Sequence, residues 1–325
     1  MKKILVTGAT GKVGSAFIAT IRERPDFQLR ALCHNRLLTG DAQLEVVQGS
    51  IADRDDVRRA MDGVTHVVHL ATCKETPQAV MDVTVKGLFW LLEECRSSSD
   101  FEQFVLIGGD ASIGHFFYPH PNPVTEAQKH SAYPGCYALS KVLEETMLEQ
   151  YFVQYDLNGC CLRAPWIMEK DDFRFSLSFG EDVFGGPRWA DLVPAEALAG
   201  YQENQTIPVM LDPGGNPVQR NFVHVNDLVA AIVAVIDQPR AARQQLFNIC
   251  MDEPLDYRVV AEHLSETRGL PSVDVPTPYH STWLDNAKAK FLLGWRPEVD
   301  ARQLADLAWD YQRAPEDVRT VYYPG

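Results

Sequence analysis

Apolar residues gather in short runs separated by segments of helical period: Lys3 to Thr7, Gln28 to Cys33, Leu44 to Gln48, His66 to Ala71, Phe104 to Gly108 and Gly159 to Arg163. Runs of this length predict buried strands, and their alternation with helical segments predicts βαβ units. Between the first two runs Val13, Phe17, Ile18 and Ile21 recur on one helix face, and Pro25 closes the segment. A second helix is predicted at Arg54 to Met61, with Asp55 and Asp56 in its first turn, Arg58 and Arg59 later, and Gly63 just beyond. Those charges suit the helix dipole and the glycine suits a helix stop. The expected fold class is α/β, a doubly wound parallel sheet covered on both faces.

After Arg163 the rhythm breaks. Residues 166–222 are rich in Pro, Gly and aromatics, including Asp212-Pro213-Gly214-Gly215-Asn216-Pro217, and read as an irregular substrate-facing insertion. A helical run, Asp227 to Ile236, and a strand, Leu246 to Cys250, return to the sheet before a largely helical C-terminus. The expected division is a sheet domain from 1–165 with 223–250, and a smaller substrate-binding domain from 166–222 with 251–325.

Thr7-Gly8-Ala9-Thr10-Gly11-Lys12-Val13-Gly14 sets three glycines at three-residue intervals where the first strand meets the first helix. One permits the tight turn, one lets backbone N–H groups approach a pyrophosphate, and one allows close helix-to-strand packing. The position of the motif makes a dinucleotide the expected ligand. At the end of the second strand an acid ordinarily binds the ribose 2′-OH and repels a 2′-phosphate. Here the chain reads Leu32-Cys33-His34-Asn35-Arg36, with no acid. His34 and Arg36, helped by Lys12, are placed to meet a phosphate, which favours NADP. NAD is the alternative if Arg36 is only a solvated loop charge.

Tyr137-Ala138-Leu139-Ser140-Lys141 puts a phenol and an amine at i and i+4, on one face of a helix. An ammonium there favours phenolate and so suits proton transfer. Together with the glycine turn, this pair resembles the signature of the extended short-chain dehydrogenase/reductases, the NAD-dependent epimerase/dehydratase group. Also similar to that family are His69-Leu70-Ala71-Thr72, Leu162-Arg163-Ala164-Pro165-Trp166, the segment Arg220 to Asp227, Phe247-Asn248-Ile249, and Asp285 to Lys288 followed by Leu293-Gly294-Trp295-Arg296-Pro297.

The resemblance implies a Rossmann sheet with a smaller C-terminal substrate domain and a homodimer formed through long helices. It implies Tyr137 as acid/base and Lys141 as its electrostatic and ribose-binding partner. Gly8, Gly11 and Gly14, with Thr10, Lys12 and Val13, would cradle the pyrophosphate. Leu70, Ala71 and Thr72 would line the cofactor, Pro165 would lie near the nicotinamide, and Ser50 and Ile51 would stand where an Asp and an aliphatic residue usually meet the adenine. Arg163 and Arg220 are expected on the substrate side.

Departures from the family bear on substrate and chemistry. Its Ser or Thr, five residues before a glycine after the fifth strand, is replaced by Gly109 in Gly109-Asp110-Ala111-Ser112-Ile113-Gly114. Ser112 is the nearest hydroxyl and Asp110 the nearest acid; both are catalytic candidates, and Ser112 reads equally as a loop-stabilising hydroxyl. Ala111 stands where sugar dehydratases carry a Glu, so dehydration is disfavoured. The arginine-bearing segment that grips a nucleotide diphosphate is replaced by Ser272 to His280, which holds no arginine.

Composition narrows the classes. Thirty basic against 44 acidic residues leave a net charge of −14, which repels nucleic acid. No stretch approaches the ~18 apolar residues of a membrane span, and the seven cysteines, without C-x-x-C spacing, suit a reducing compartment. The expected protein is therefore cytoplasmic, with no nucleic-acid or membrane partner, and its histidines show no metal spacing. The reading is an NAD(P)-dependent oxidoreductase acting at a secondary alcohol or ketone of a carbohydrate-like small molecule. An epimerase with tightly bound NAD is the alternative reaction. A non-catalytic dinucleotide-binding regulator is the alternative class.

Overall fold

Each of the six apolar runs closes into a strand of one parallel sheet. The computed structural model describes residues 2–74, 76–180 and 187–319. In it β1 (Lys2–Thr7), β2 (Phe27–Cys33), β3 (Leu44–Gln48), β4 (His66–His69), β5 (Gln103–Gly109) and β6 (Gly159–Ala164) are joined by the strand Gln245–Asn248. From one edge the order is Gln245–Asn248, β6, β5, β4, β1, β2, β3. Strand order reverses between β1 and β4, the switch point where doubly wound sheets open a crevice at their carboxyl ends. The register sets Thr7 beside Leu32 and His69, His69 beside Leu106, and Gly109 beside Ala164. These ends therefore line one rim.

The run His66 to Ala71 is two residues longer than β4. Past His69 the N–H groups of Leu70 and Ala71 leave the ladder and donate to Thr7 Oγ1, at 3.2 Å each.

Helix α1 (Lys12–Ile21) and the helix Val225–Asp237 cover one face, burying Phe17, Ile18, Ile21, Ile232 and Val235. Helix α2 (Arg54–Met61), capped by Asp53 on the N–H groups of Asp55 and Asp56, covers the other with the helices Gly87–Ser97 and Cys136–Tyr155. There Val57, Leu88, Leu91 and Leu148 are buried. Alternation along β6 sends Cys160 into the first of these cores and Cys161 into the second. Both thiols are pushed up in pKa by burial, as small core residues would be.

A third core gathers Met168, Phe173, Trp189, Phe222, Tyr257, Leu264 and Leu304. Trp166–Met168 pairs with Phe222–His224, Ile207–Leu211 with Ser272–Pro276, and Gln219–Arg220 with Leu255–Asp256. The last two of these ladders tie the insertion to the C-terminal segment, and the first joins the insertion's own two ends. Among the described residues no helix is long and apolar enough to cross a membrane.

Candidate active site

The glycines of the first turn are required by space. Gly8 has φ +66°, and a side-chain carbon there would stand 2.8 Å from the Ala71 nitrogen. One at Gly14 would stand 2.7 Å from Ala9 Cα, so α1 can approach the turn only without it. Gly11 is the residue before α1 and offers no capping side chain. The first N–H groups of the helix thus need partners from outside it, the arrangement that receives a pyrophosphate. Thr7 fixes the turn to β4 through its hydroxyl, which also lies 2.8 Å from His69 Nδ1. These residues fit a dinucleotide. Thr10 and Val13 are half-buried beside the turn, as are Leu70 and Ala71, while Thr72 is exposed.

Lys12 has a different set of contacts from those expected of a phosphate-binding residue. Its ammonium donates to the Ile167 carbonyl at 2.8 Å and pairs with the buried Asp172. The glycine turn is thereby tied to the segment that follows β6. His34 and Arg36 are exposed beyond β2. Close by, Ser50 N donates to Asp56 Oδ2 at 2.7 Å, and Arg59 donates to Asp56 Oδ1 at 2.5 Å. The Ser50 bond is the largest of the influences that lower the Asp56 pKa, and His34 is among them. That carboxylate, on α2, is taken up by Ser50 and Arg59, while β2 itself ends without one. Ser50 Oγ accepts from Ala52 N, and Ile51 is buried against Gly87.

Tyr137 and Lys141 occupy the first turns of the helix Cys136–Tyr155, introduced by Gly135 at φ +144°. The Lys141 ammonium lies 5.6 Å from the Tyr137 ring centre, as i and i+4 spacing requires. It stands 2.7 Å from Glu144 Oε2 and 3.5 Å from the Ile107 carbonyl, all of it buried. Burial acts to lower the Lys141 pKa, but Glu144 and Tyr137 more than reverse it, so the group stays charged. On β4, burial and then Lys141 hold His69 down at about 3, hence neutral. Lys74, in no motif of the sequence, brings a second ammonium 5.0 Å from the Tyr137 ring.

Around Gly109 the catalytic candidates divide. Ser112, fully buried, donates to Glu145 Oε1 at 3.0 Å. Glu145 also accepts from Arg163 at 3.1 and 2.7 Å and lies 2.9 Å from His130 Nε2. Against the opposing effect of burial, His130 and Arg163 hold its pKa down at about 2. Ser112 and Arg163 are thus joined in an internal network, and Pro165 is buried beside it.

Asp110 joins a second chain of contacts. Arg220 donates to His115 Nε2, so the neutral ring keeps its proton on Nδ1 and donates to Asp110. Burial is the main reason that the His115 pKa falls to about 4. Arg220 is 1% exposed, its guanidinium 4.1 to 4.8 Å from the rings of Phe116, Trp166 and Phe222. Its Nε and Nη1 have no hydrogen-bond partner among the described residues. The other arginines of the insertion that are described face acids, Arg174 at 3.7 Å from Asp171 and Arg188 at 3.8 Å from Asp191.

A glycine turn at the switch point, with a phenol and an ammonium on the neighbouring rim, is the layout of a dinucleotide-binding α/β fold. Residues 4–168, half of the chain, match the model of the NAD dependent epimerase/dehydratase family. The protein belongs to that family. It is 24% identical to a UDP-glucose 4-epimerase of Corynebacterium glutamicum over 97% of each chain. UDP-glucuronate 4-epimerase 1 of Arabidopsis thaliana is 23% identical, over 91% of this chain and 73% of the plant protein. Among solved structures, a short-chain dehydrogenase/reductase superfamily protein of Agrobacterium tumefaciens with bound NAD aligns with a TM-score of 0.79 at 23% identity, over 94% of this chain and 95% of that one. UDP-glucuronic acid 4-epimerase of Bacillus cereus in complex with NAD aligns at 0.73 and 18%, over 95% and 98%.

Proposed function

We propose that this protein is an NAD-dependent enzyme that epimerises a sugar at a secondary carbinol, with the dinucleotide retained through the cycle. The observation that carries the reading is the Tyr137–Lys141 pair on the rim beside the glycine turn. A nicotinamide dinucleotide bound in that cradle supplies hydride acceptance and return. Tyr137 takes the hydroxyl proton of the substrate and later returns it, and Lys141 stabilises the phenolate in between. The Lys12–Asp172 pair supports retention, because it binds the cofactor turn to the segment after β6. The 4-epimerase names of the relatives support the reaction type, and the NAD complexes of the structural relatives support NAD over the NADP anticipated from Arg36. The commitment of Lys12 to Asp172 points the same way.

A second reading, a net dehydrogenase of a small free sugar or sugar acid, draws on one specific observation. Arg220 is enclosed by three rings, and the Ser272 to His280 stretch provides no second arginine for a diphosphate. Incubation with UDP-glucose, UDP-glucuronate and the free sugars separates the two. Epimer formed at constant absorbance near 340 nm supports the proposal, whereas stoichiometric NADH from a free sugar supports the second reading.

We further take residues 1–165 with 223–250 as the dinucleotide-binding part and 166–222 with 251–325 as the substrate-binding part, a division that the third core supports, while Ala289, Leu293 and Trp295 of the C-terminal segment pack into the sheet core. A cytoplasmic homodimer fits this reading, and exposed Phe89, Leu139 and Val153 on the helices Gly87–Ser97 and Cys136–Tyr155 offer the apolar contact.

A further inference from the structure

Lys141 does not face Tyr137 as an isolated cation. Its ammonium is 2.7 Å from Glu144 Oε2, on the next turn of the same helix, with the two side chains 5% and 1% exposed. Among the described residues Glu144 is the one carboxylate in ion-pair contact with Lys141, and Lys141 is the one cation in ion-pair contact with Glu144. The adjacent Glu145 is engaged by Ser112, Arg163 and His130 and turns its charge to β6. The other polar and titratable groups facing the pair come from each element packed on it. They are His69 on β4, Lys74 after β4, the Ile107 carbonyl on β5, and Cys161 and Arg163 on β6. His69 is neutral, and Arg163 is matched by Glu145. The charge that Tyr137 meets from its own helix is therefore set by Lys141 and Glu144 together.

We propose that Glu144 is a positioning residue for the reaction: it holds the Lys141 ammonium beneath Tyr137 and offsets part of its charge, so that the phenol ionises at a higher pH than a lone ammonium would dictate. Two physical effects meet in this carboxylate. Burial disfavours an ammonium in so enclosed a place, and Glu144 and the Tyr137 phenolate both oppose that, so Lys141 keeps its charge when Glu144 alone is neutralised. A full, unopposed positive charge would make the phenolate too stable to be an effective base, since proton transfer is fastest when the catalytic group ionises near the working pH. Burial raises the Glu144 pKa on balance, and the contact with Lys141 is what opposes it and favours the carboxylate. The inference rests on the acid/base role given to Tyr137 above, but its test does not.

Phenolate absorbance, recorded as a difference between a protein and its Tyr137→Phe form, follows the ionisation of this one phenol without cofactor or turnover. In Glu144→Gln the Tyr137 midpoint should fall by about one pH unit, the low end of what a nearby charge does to a pKa. Glu144→Met removes the charge with little change of volume and should produce the same fall, so a folding defect in one variant leaves the other to decide. Glu144→Asp keeps the charge and should retain most of the wild-type midpoint. An unchanged or higher midpoint in a folded Gln or Met variant overturns the proposal, as does an equal fall in the Asp variant. Should Tyr137→Phe remain active while these shifts appear, the acid/base reading fails and the charge pairing stands.

Discussion

A side-chain carbon on Gly109 would stand 3.7 Å from Cγ and Cδ of Lys141, an ordinary contact, on a backbone that is extended at φ −150° and ψ 148°. Nothing in the packing requires glycine there. Gly109→Ser should therefore fold with a melting temperature within about 2 °C of the wild type, no more than the ~2–4 °C that a 1 kcal/mol loss causes in a chain of roughly 150–250 residues. Gly14→Ala, which meets Ala9 backbone at 2.7 Å, should lose more than 1 kcal/mol and weaken dinucleotide binding. Thermal melts with and without NAD check both, and a strongly destabilised Gly109→Ser would show that the site is tighter than its geometry states.

Tyr137→Phe should lower turnover by about 10²-fold or more while leaving dinucleotide affinity nearly intact, since acid/base groups contribute on that scale. Lys141→Ala should damage both. Steady-state rates beside calorimetric NAD binding separate the two effects.

The pair Lys12–Asp172 joins residues far apart in sequence across the cofactor turn. Asp172→Asn should speed the release of bound NAD by about tenfold, equivalent to 1.4 kcal/mol of lost retention. Stopped-flow displacement measures it, and an unchanged release rate would remove this pair from the account of retention.

Acid should weaken the fold in a defined window. Burial lowers His66 and His115 to about 4 and His69 to about 3, against an ordinary value of 6.5. Below pH 6.5 the unfolded chain binds protons that the native chain refuses, so stability is full above 6.5 and falls as pH drops toward 4, by on the order of 3 kcal/mol per histidine at most. Glu145, lowered from 4.5 to about 2, adds its loss only below pH 4.5. Urea unfolding at pH 7.5 and pH 5 should differ by several kcal/mol on the same scale, and His69→Asn should flatten the slope by up to one proton.

What the sequence made legible was local. The six runs, the glycine turn and the i, i+4 pair each lie within a few residues, and the strands begin and end within two residues of the runs. Contacts over long separations were not legible: Arg220 on His115, Lys12 on Asp172, and the Arg163–Glu145 pair that takes up Ser112. Nothing in a Ser two residues beyond Asp110 says that its hydroxyl will turn inward to a helix 33 residues on. Glu144 is the exception, since its i+3 spacing from Lys141 was visible and only its burial was not. Lys74 had no motif at all, and the fold alone brings it over Tyr137.

The central claim, that hydride leaves and returns to one carbon within one protein, is tested by a substrate deuterated at that carbon. With UDP-glucose or UDP-glucuronate labelled at C4, mass spectrometry of the epimer should find the deuterium retained, with none in solvent or in added NADH, and Tyr137→Phe should slow its formation about 10²-fold or more. Deuterium that passes into free NADH, or an epimer that loses its label to water, would contradict the account.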